Sequence, residues 1–152
     1  MRIYQVETTN YCNATCDYCP HTSMTREKGF ISLETVQKVI DNCLNEGQTY
    51  IALHHLGEPL LHPNINTIIK MFFENNINTE LSTNGLILTA KKLVELNKYL
   101  SVLRIAMDFN FAQKKDKLYK ELTTYFTNNK NGRMYMYICG SPVFRITMIV
   151  FK

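Results

Sequence analysis

Three cysteines, Cys12, Cys16 and Cys19, share the short stretch Asn10-Tyr-Cys-Asn-Ala-Thr-Cys-Asp-Tyr-Cys-Pro20, directly after an apolar, β-branched run that reads as a first strand. Consecutive sulfurs lie four and three positions apart, a reach of at most roughly 10 to 14 Å in an extended chain. A curled loop can therefore bring them to three corners of one inorganic cube and leave the fourth corner open. A cluster held entirely by cysteine suits electron transfer, whereas a metal with an open position binds a substrate or cofactor, as catalytic zinc does. The competing reading is a zinc site with His21 as fourth ligand. Zinc ligands normally come as two pairs on separate segments, so four ligands packed between Cys12 and His21 depart from that pattern. Five cysteines are an odd count with three on one loop, which argues against a disulfide framework and for a reducing compartment. Cys43 and Cys139 read as buried small hydrophobes.

Three further segments carry chemistry-bearing residues: His55-Leu-Gly-Glu-Pro-Leu-Leu-His-Pro63, Leu81-Ser-Thr-Asn-Gly85 and Ile105-Ala-Met-Asp108. Alone, the first is a turn with a solvated acid and the second a strand-to-helix turn. Each begins where a strand is expected to end. His54, His55 and His62 flank the first segment without metal-ligand spacing and read as turn and cap residues.

In this order, the four segments resemble the landmarks of the radical S-adenosylmethionine (SAM) enzymes, beginning with C-x3-C-x2-C with an aromatic, Tyr18, before its last cysteine. The resemblance runs from about Tyr4 to about Asp108. It implies that Cys12, Cys16 and Cys19 hold a 4Fe-4S cluster whose open iron takes the amino and carboxylate groups of SAM. One electron then cleaves SAM to methionine and a 5′-deoxyadenosyl radical, which removes a hydrogen atom from a peptide or small-metabolite substrate. It also implies cofactor contacts from Tyr18 near the adenine, from Gly57 and Glu58 at the SAM ammonium, from Ser82 and Asn84, and from Asp108 at the ribose. Leu56 stands where many members have a glycine, and Ala106 and Phe109 replace a serine and a glycine beside Asp108. A low-potential electron donor of flavodoxin or ferredoxin type is the implied partner. The non-enzymatic alternative is a shortened chain that binds a cluster or SAM without turnover.

The elements that must position these residues alternate. Arg2 to Thr8 reads as a strand, and Ser32 caps a helix with Val36, Val39, Ile40, Cys43 and Leu44 on one face, ended by Gly47. Tyr50 to His54 is a second strand, and Pro63 suits the first turn of a helix carrying Ile65, Ile68, Ile69, Phe72 and Phe73. Ile77 to Ser82 is a third strand; Thr89 caps a helix with Ala90, Leu93, Val94 and Asn97 on one side; Ser101 to Met107 is a fourth. Strand–loop–helix repetition describes a parallel sheet with right-handed crossovers. A lysine-rich helix from about Asp116 to Thr127 follows, with apolar Leu118, Leu122, Tyr125 and Phe126. Arg133 to Cys139 and Val143 to Phe151 then read as strands, either as an antiparallel hairpin or as one irregular segment before a fifth parallel strand.

The expected fold is thus α/β, a partial (β/α) barrel of radical SAM type, with residues 1–152 as one core domain. A full (β/α)8 barrel takes about 250 residues. On that scale the chain is expected to be truncated after about four to five βα units, incomplete at the C-terminal end, with another chain as one way to cover the open sheet edge. At 152 residues, 45% hydrophobic and 20% charged, it can bury a real core. No apolar run reaches the roughly 18 residues needed to cross a bilayer, and Gln5, Glu7 and Thr8 interrupt any signal-peptide pattern, so a cytoplasmic, membrane-free setting is expected. Net charge is +4 with scattered lysines; Lys114, Lys115, Lys117 and Lys120 read as a solvated helix face, and no nucleic-acid partner is expected.

Overall fold

The computed structural model describes residues 4–107, 112–128, 134–140 and 147–149. Within these, β1 (Tyr4–Gln5), α1 (Leu33–Asn45), β2 (Tyr50–Ala52), α2 (Ile65–Glu74), β3 (Asn78–Thr83), α3 (Ala90–Leu96), β4 (Val102–Met107), α4 (Ala112–Asn128), β5 (Tyr135–Gly140) and β6 (Thr147–Ile149) follow in chain order. The sheet order is β1-β2-β3-β4-β5-β6. β1 to β5 are parallel neighbours and β6 pairs antiparallel with β5. The α/β partial-barrel expectation holds, and of the two readings for the last strands the antiparallel pairing is observed: β5, parallel to β4, pairs antiparallel with β6.

Local chemistry sets most helix limits. Ser32 Oγ accepts the Thr35 N–H and Thr89 Oγ1 accepts the Lys92 N–H, each satisfying a donor that a helix start leaves unpaired. α1 ends at Gly47, whose φ of 65° lets Gln48 N–H reach Cys43 O at 2.7 Å. α2 ends the same way on Asn76, at φ 58°, with Ile77 N–H on Phe72 O.

One face of the sheet is sealed by helices. Ile51, Leu81, Leu103 and Ile105 of the strands and Leu53 just past β2, with Val36, Ile40, Ile68, Phe72 and Leu93 of the helices, are fully buried. Each such side chain contributes about 1.5 to 3 kcal/mol. Alternation along the strands sends Tyr50, Glu80, Ser82 and Arg104 to the opposite, concave face, where they are half-buried.

Several expectations are corrected. β1 ends at Gln5 and β2 at Ala52, each earlier than expected, while Arg2 and Ile3 of the expected first strand lie outside the described residues. The chain beyond each stays extended: Val6 N–H still bonds Ala52 O, but the following residues turn into the loops that build the site. Pro63 precedes the Asn64 cap rather than opening α2; in this segment Pro59 starts a helical turn, the 3₁₀ segment Pro59–Leu61. Leu44, Phe73 and Val94 face solvent at the edges of their helical stripes. Asn97 does face inward, its Oδ1 accepting the Met134 N–H. α4 begins at Ala112, a turn earlier than expected, and buries Leu118, Leu122 and Tyr125 while Lys117 and Lys120 stay exposed. Among the described residues no helix is long and apolar enough to cross a membrane. Asp108 and the Ser141-Pro142 turn lie outside the described residues.

Candidate cofactor site

The cysteine loop leaves the C-terminal end of β1 and returns to its own base. Thr9 and Phe30 form an antiparallel bridge, Ile31 N–H donates to Thr8 O at 2.9 Å, and Thr9 Oγ1 donates to Gly29 O at 2.8 Å. Asn10, buried, locks this neck: its Oδ1 accepts the Gly29 N–H at 2.7 Å and its Nδ2 donates to Glu27 O at 2.9 Å. Outside the neck, Glu7 forms a two-bond pair with Arg26 and accepts the Leu56 N–H, tying the loop exit to the turn after β2. Burial alone would raise the Glu7 carboxyl, but these donors more than offset it and hold it below its ordinary value.

Cys12, Cys16 and Cys19 are all partly exposed on this loop. Cys19 N–H bonds Cys16 O at 3.0 Å and Cys19 caps the 3₁₀ turn Pro20–Ser23. His21 is buried beneath the loop with Nε2 at 2.8 Å from Asn10 O. Cys43 is 1% exposed inside the core, and burial, with Glu46 nearby, pushes its thiol up, as suits a space-filling residue. Cys139 belongs to β5, and its side chain lies outside the described part of the structure.

The turns after β2 and β3 close onto the same loop. Glu58 N–H donates to Tyr11 O at 2.7 Å, next to Cys12. Gly57 is required by contact: a β-carbon there would stand 2.0 Å from Thr9 O. The Glu58 carboxylate is 2% exposed and turned inward. Its Oε1 accepts from Leu60 N and Thr83 Oγ1, its Oε2 from Asn84 N at 2.7 Å. Burial raises its pKa despite these three donors. Asn84 in turn donates from Nδ2 to Asn13 Oδ1 at 2.8 Å and lies 3.9 Å from Cys12 Sγ. Gly85 takes φ 73°, as its place in this turn requires.

Gly57, Glu58, Asn84 and Cys12 thus meet at one end of the sheet, the C-terminal end of the strands, where ligands gather in barrels of this kind. Ser82 lies just below, its backbone N–H donating to His54 Nδ1. Tyr18 is 75% exposed on the outer side of the loop. His62 is a cap, with Nδ1 accepting the Asn64 N–H and Nε2 donating to Ile31 O.

Sequence reasoning missed Asn10 and a polar group on the concave face. There Glu80 pairs with Arg104 through Nε at 2.6 Å and Nη2 at 3.2 Å, and also accepts the Tyr50 hydroxyl. Burial favours the neutral acid, but Arg104 and Tyr50 outweigh it, so Glu80 stays ionised; burial keeps neighbouring His54 below its usual value. The available signal was Arg104 as the one charged residue in the otherwise apolar β4; Glu80 lies in the largely polar β3 and gave none.

A single ion and a cluster ask different geometries of three cysteines. Zinc draws its sulfur ligands to about 2.3 Å from one point, whereas cluster thiolates are spread over separate irons. Among the described residues no three histidine, cysteine or carboxylate side chains converge as one metal ion requires.

Residues 6–131 match the family model of the radical SAM superfamily, and the chain belongs to that superfamily. Its members are enzymes that use a 4Fe-4S cluster and SAM. The chain is 34% identical over 112 residues to the GTP 3′,8-cyclase of Aliarcobacter butzleri (strain RM4018), covering 68% of this chain and 33% of that protein. Among solved structures it resembles BtrN in complex with AdoMet and 2-DOIA, with a TM-score of 0.76, 23% identity, and coverage of 91% of this chain and 56% of BtrN. It also resembles Streptococcus suis SuiB bound to precursor peptide SuiA, with a TM-score of 0.70, 14% identity, and coverage of 90% and 32%. The chain therefore spans about a third of the curated relative and about half of BtrN.

Proposed function

We propose that Cys12, Cys16 and Cys19 hold a 4Fe-4S cluster and that the neighbouring turns receive SAM. The observation that carries this reading is the joining of the cysteine loop, the Gly57-Glu58 turn and the Thr83-Asn84 turn through Tyr11 O, Asn84 and the buried Glu58 carboxylate. When bound, the cluster supplies the electron that cleaves SAM to methionine and a 5′-deoxyadenosyl radical. The protein's own part is to present three thiolates, keep the fourth position unprotected, and hold the turns at fixed separation. Gly57, Glu58 and Ser82 contribute backbone and polar groups at the SAM side. Tyr18 lies on the same loop and would approach the adenine by turning inward, and Asp108, which follows β4 in the chain, is assigned to the ribose by the resemblance alone.

The substrate is a peptide or a small metabolite with polar groups. The polar concave face, with Glu80, Arg104 and Tyr50 below the cofactor end, supports a polar rather than an aliphatic occupant. SuiB is solved with a peptide, and the Aliarcobacter relative carries a nucleotide in its name. A flavodoxin- or ferredoxin-type donor in a reducing, cytoplasmic setting would supply the electron.

Anaerobic reconstitution with iron and sulfide tests the proposal. The expected product is a brown protein with about four irons per chain that releases 5′-deoxyadenosine when given SAM and dithionite. Iron uptake without SAM cleavage would leave a cluster-binding module, and one zinc per chain with no iron would overturn the assignment.

A further inference from the structure

The family resemblance places Asn84 against SAM, yet both ends of its side chain are already engaged within the fold. Leu86 N–H donates to one end at 2.9 Å. A backbone N–H can only donate, so that end is Oδ1 and the other is the amide NH2. The NH2 carries two hydrogens. One goes to Asn13 Oδ1 at 2.8 Å, and the other faces Cys12 Sγ at 3.9 Å, within hydrogen-bond range for the larger sulfur atom. The backbone of Asn84 is fixed as well, since its N–H is held at 2.7 Å by a Glu58 carboxylate that is 2% exposed. This side chain therefore cannot turn toward a ligand without breaking contacts at both ends.

We infer that Asn84 is a positioning residue for the cluster rather than a SAM ligand: its amide donates to the Cys12 sulfur and sets the reduction potential of the cluster held there. The physical basis is charge. Reduction adds an electron that is shared onto the sulfurs, and an N–H aimed at sulfur stabilises that added negative charge, which raises the potential. Because Glu58 holds Asn84, the turn after β2 fixes the donor that the turn after β3 presents to the loop after β1. Cluster electronics and the SAM-side turn are thus mechanically joined. This inference rests on the cluster-binding reading of Cys12.

The test is a redox titration, followed by electron paramagnetic resonance, of reconstituted wild-type protein and Asn84→Ala, both without SAM. The variant is expected to be harder to reduce, by a factor of about three to ten, equivalent to roughly 30 to 59 mV for one electron. Asn84→Asp keeps the acceptor for Leu86 N–H and so the turn, while replacing the donor by an acceptor; its potential should fall further, and it serves if the alanine variant does not fold. SAM affinity, measured separately by calorimetry on the oxidised protein, should change less than about twofold in Asn84→Ala. An unchanged potential with weakened SAM binding would make Asn84 a SAM ligand and overturn the inference, as would no change in either. Failure of the wild-type protein to take up iron would instead sink the cluster reading itself.

Discussion

Gly57 rests directly on the main chain of Thr9: a β-carbon at position 57 would stand 2.0 Å from the Thr9 carbonyl oxygen and 2.9 Å from Asn10 Cα. The obstructing atoms are backbone, so no rotamer change relieves the clash, and the cysteine loop or the turn after β2 must move. Gly29, at the far side of the same loop neck, has nothing within 4 Å of the point a β-carbon would occupy. Gly57→Ala should therefore cost about 3 kcal/mol or more and release the iron on gel filtration, whereas Gly29→Ala should stay within about 0.5 kcal/mol of wild type. Equal urea midpoints for the two variants would contradict the contact.

Cys16→Ala should abolish iron retention and the sulfur-to-iron charge-transfer absorption after reconstitution. Cys43→Ala should keep both, because Cys43 sits on the buried face of α1 and fills space in the core. Similar loss in the two variants would overturn the ligand assignment.

Glu58→Gln retains shape but replaces one carboxylate oxygen with an NH2. The group currently accepts three donors, from Leu60 N, Thr83 Oγ1 and Asn84 N. Whichever way the amide is turned, its NH2 faces a donor, at a cost of about 1 to 3 kcal/mol. Calorimetric unfolding of the metal-free protein measures this without reference to turnover, and an unchanged melting temperature would mean the carboxylate does not tether the turns.

Glu80 titrates in the opposite sense to Glu58. Its burial favours protonation, but the hydrogen bonds from Arg104 and Tyr50 prevail, so its folded pKa lies below the ordinary carboxylate value of 4.5. A depressed folded pKa contributes stability that is full above the unfolded value and is lost as pH falls through the folded one. Arg104 is 42% exposed and partly screened, so the pair is worth about 1 kcal/mol. The urea midpoint of Glu80→Gln should lie below wild type near about pH 7 and converge on it as pH falls below 4.5 and through the lowered folded value. A gap that stays constant across that range would rule out this linkage.

The order of strands and helices is legible along the chain because it depends on neighbours. Ser32 and Thr89 cap the residues three places on, Gly47 closes the helix just before it, and the apolar spacing of Ile65, Ile68, Ile69 and Phe72 needs only the helical period. Periodicity marks a face but not its width, which is why Leu44, Phe73 and Val94 fall outside the buried stripes they extend. The cysteine triplet is legible for the same local reason, as a pattern of spacing within one loop.

The role of each partner residue is not. Glu58 reads as a surface acid because its donors Thr83 and Asn84 are brought to it by a parallel register between β2 and β3. Asn84 reads as a ligand because Cys12 and Asn13 lie 72 and 71 positions away in the chain. Local sequence chemistry decides how a segment turns and which face is apolar. Which polar group meets which across the sheet follows from strand pairing, and that pairing is made only when the whole hydrophobic face is buried at once.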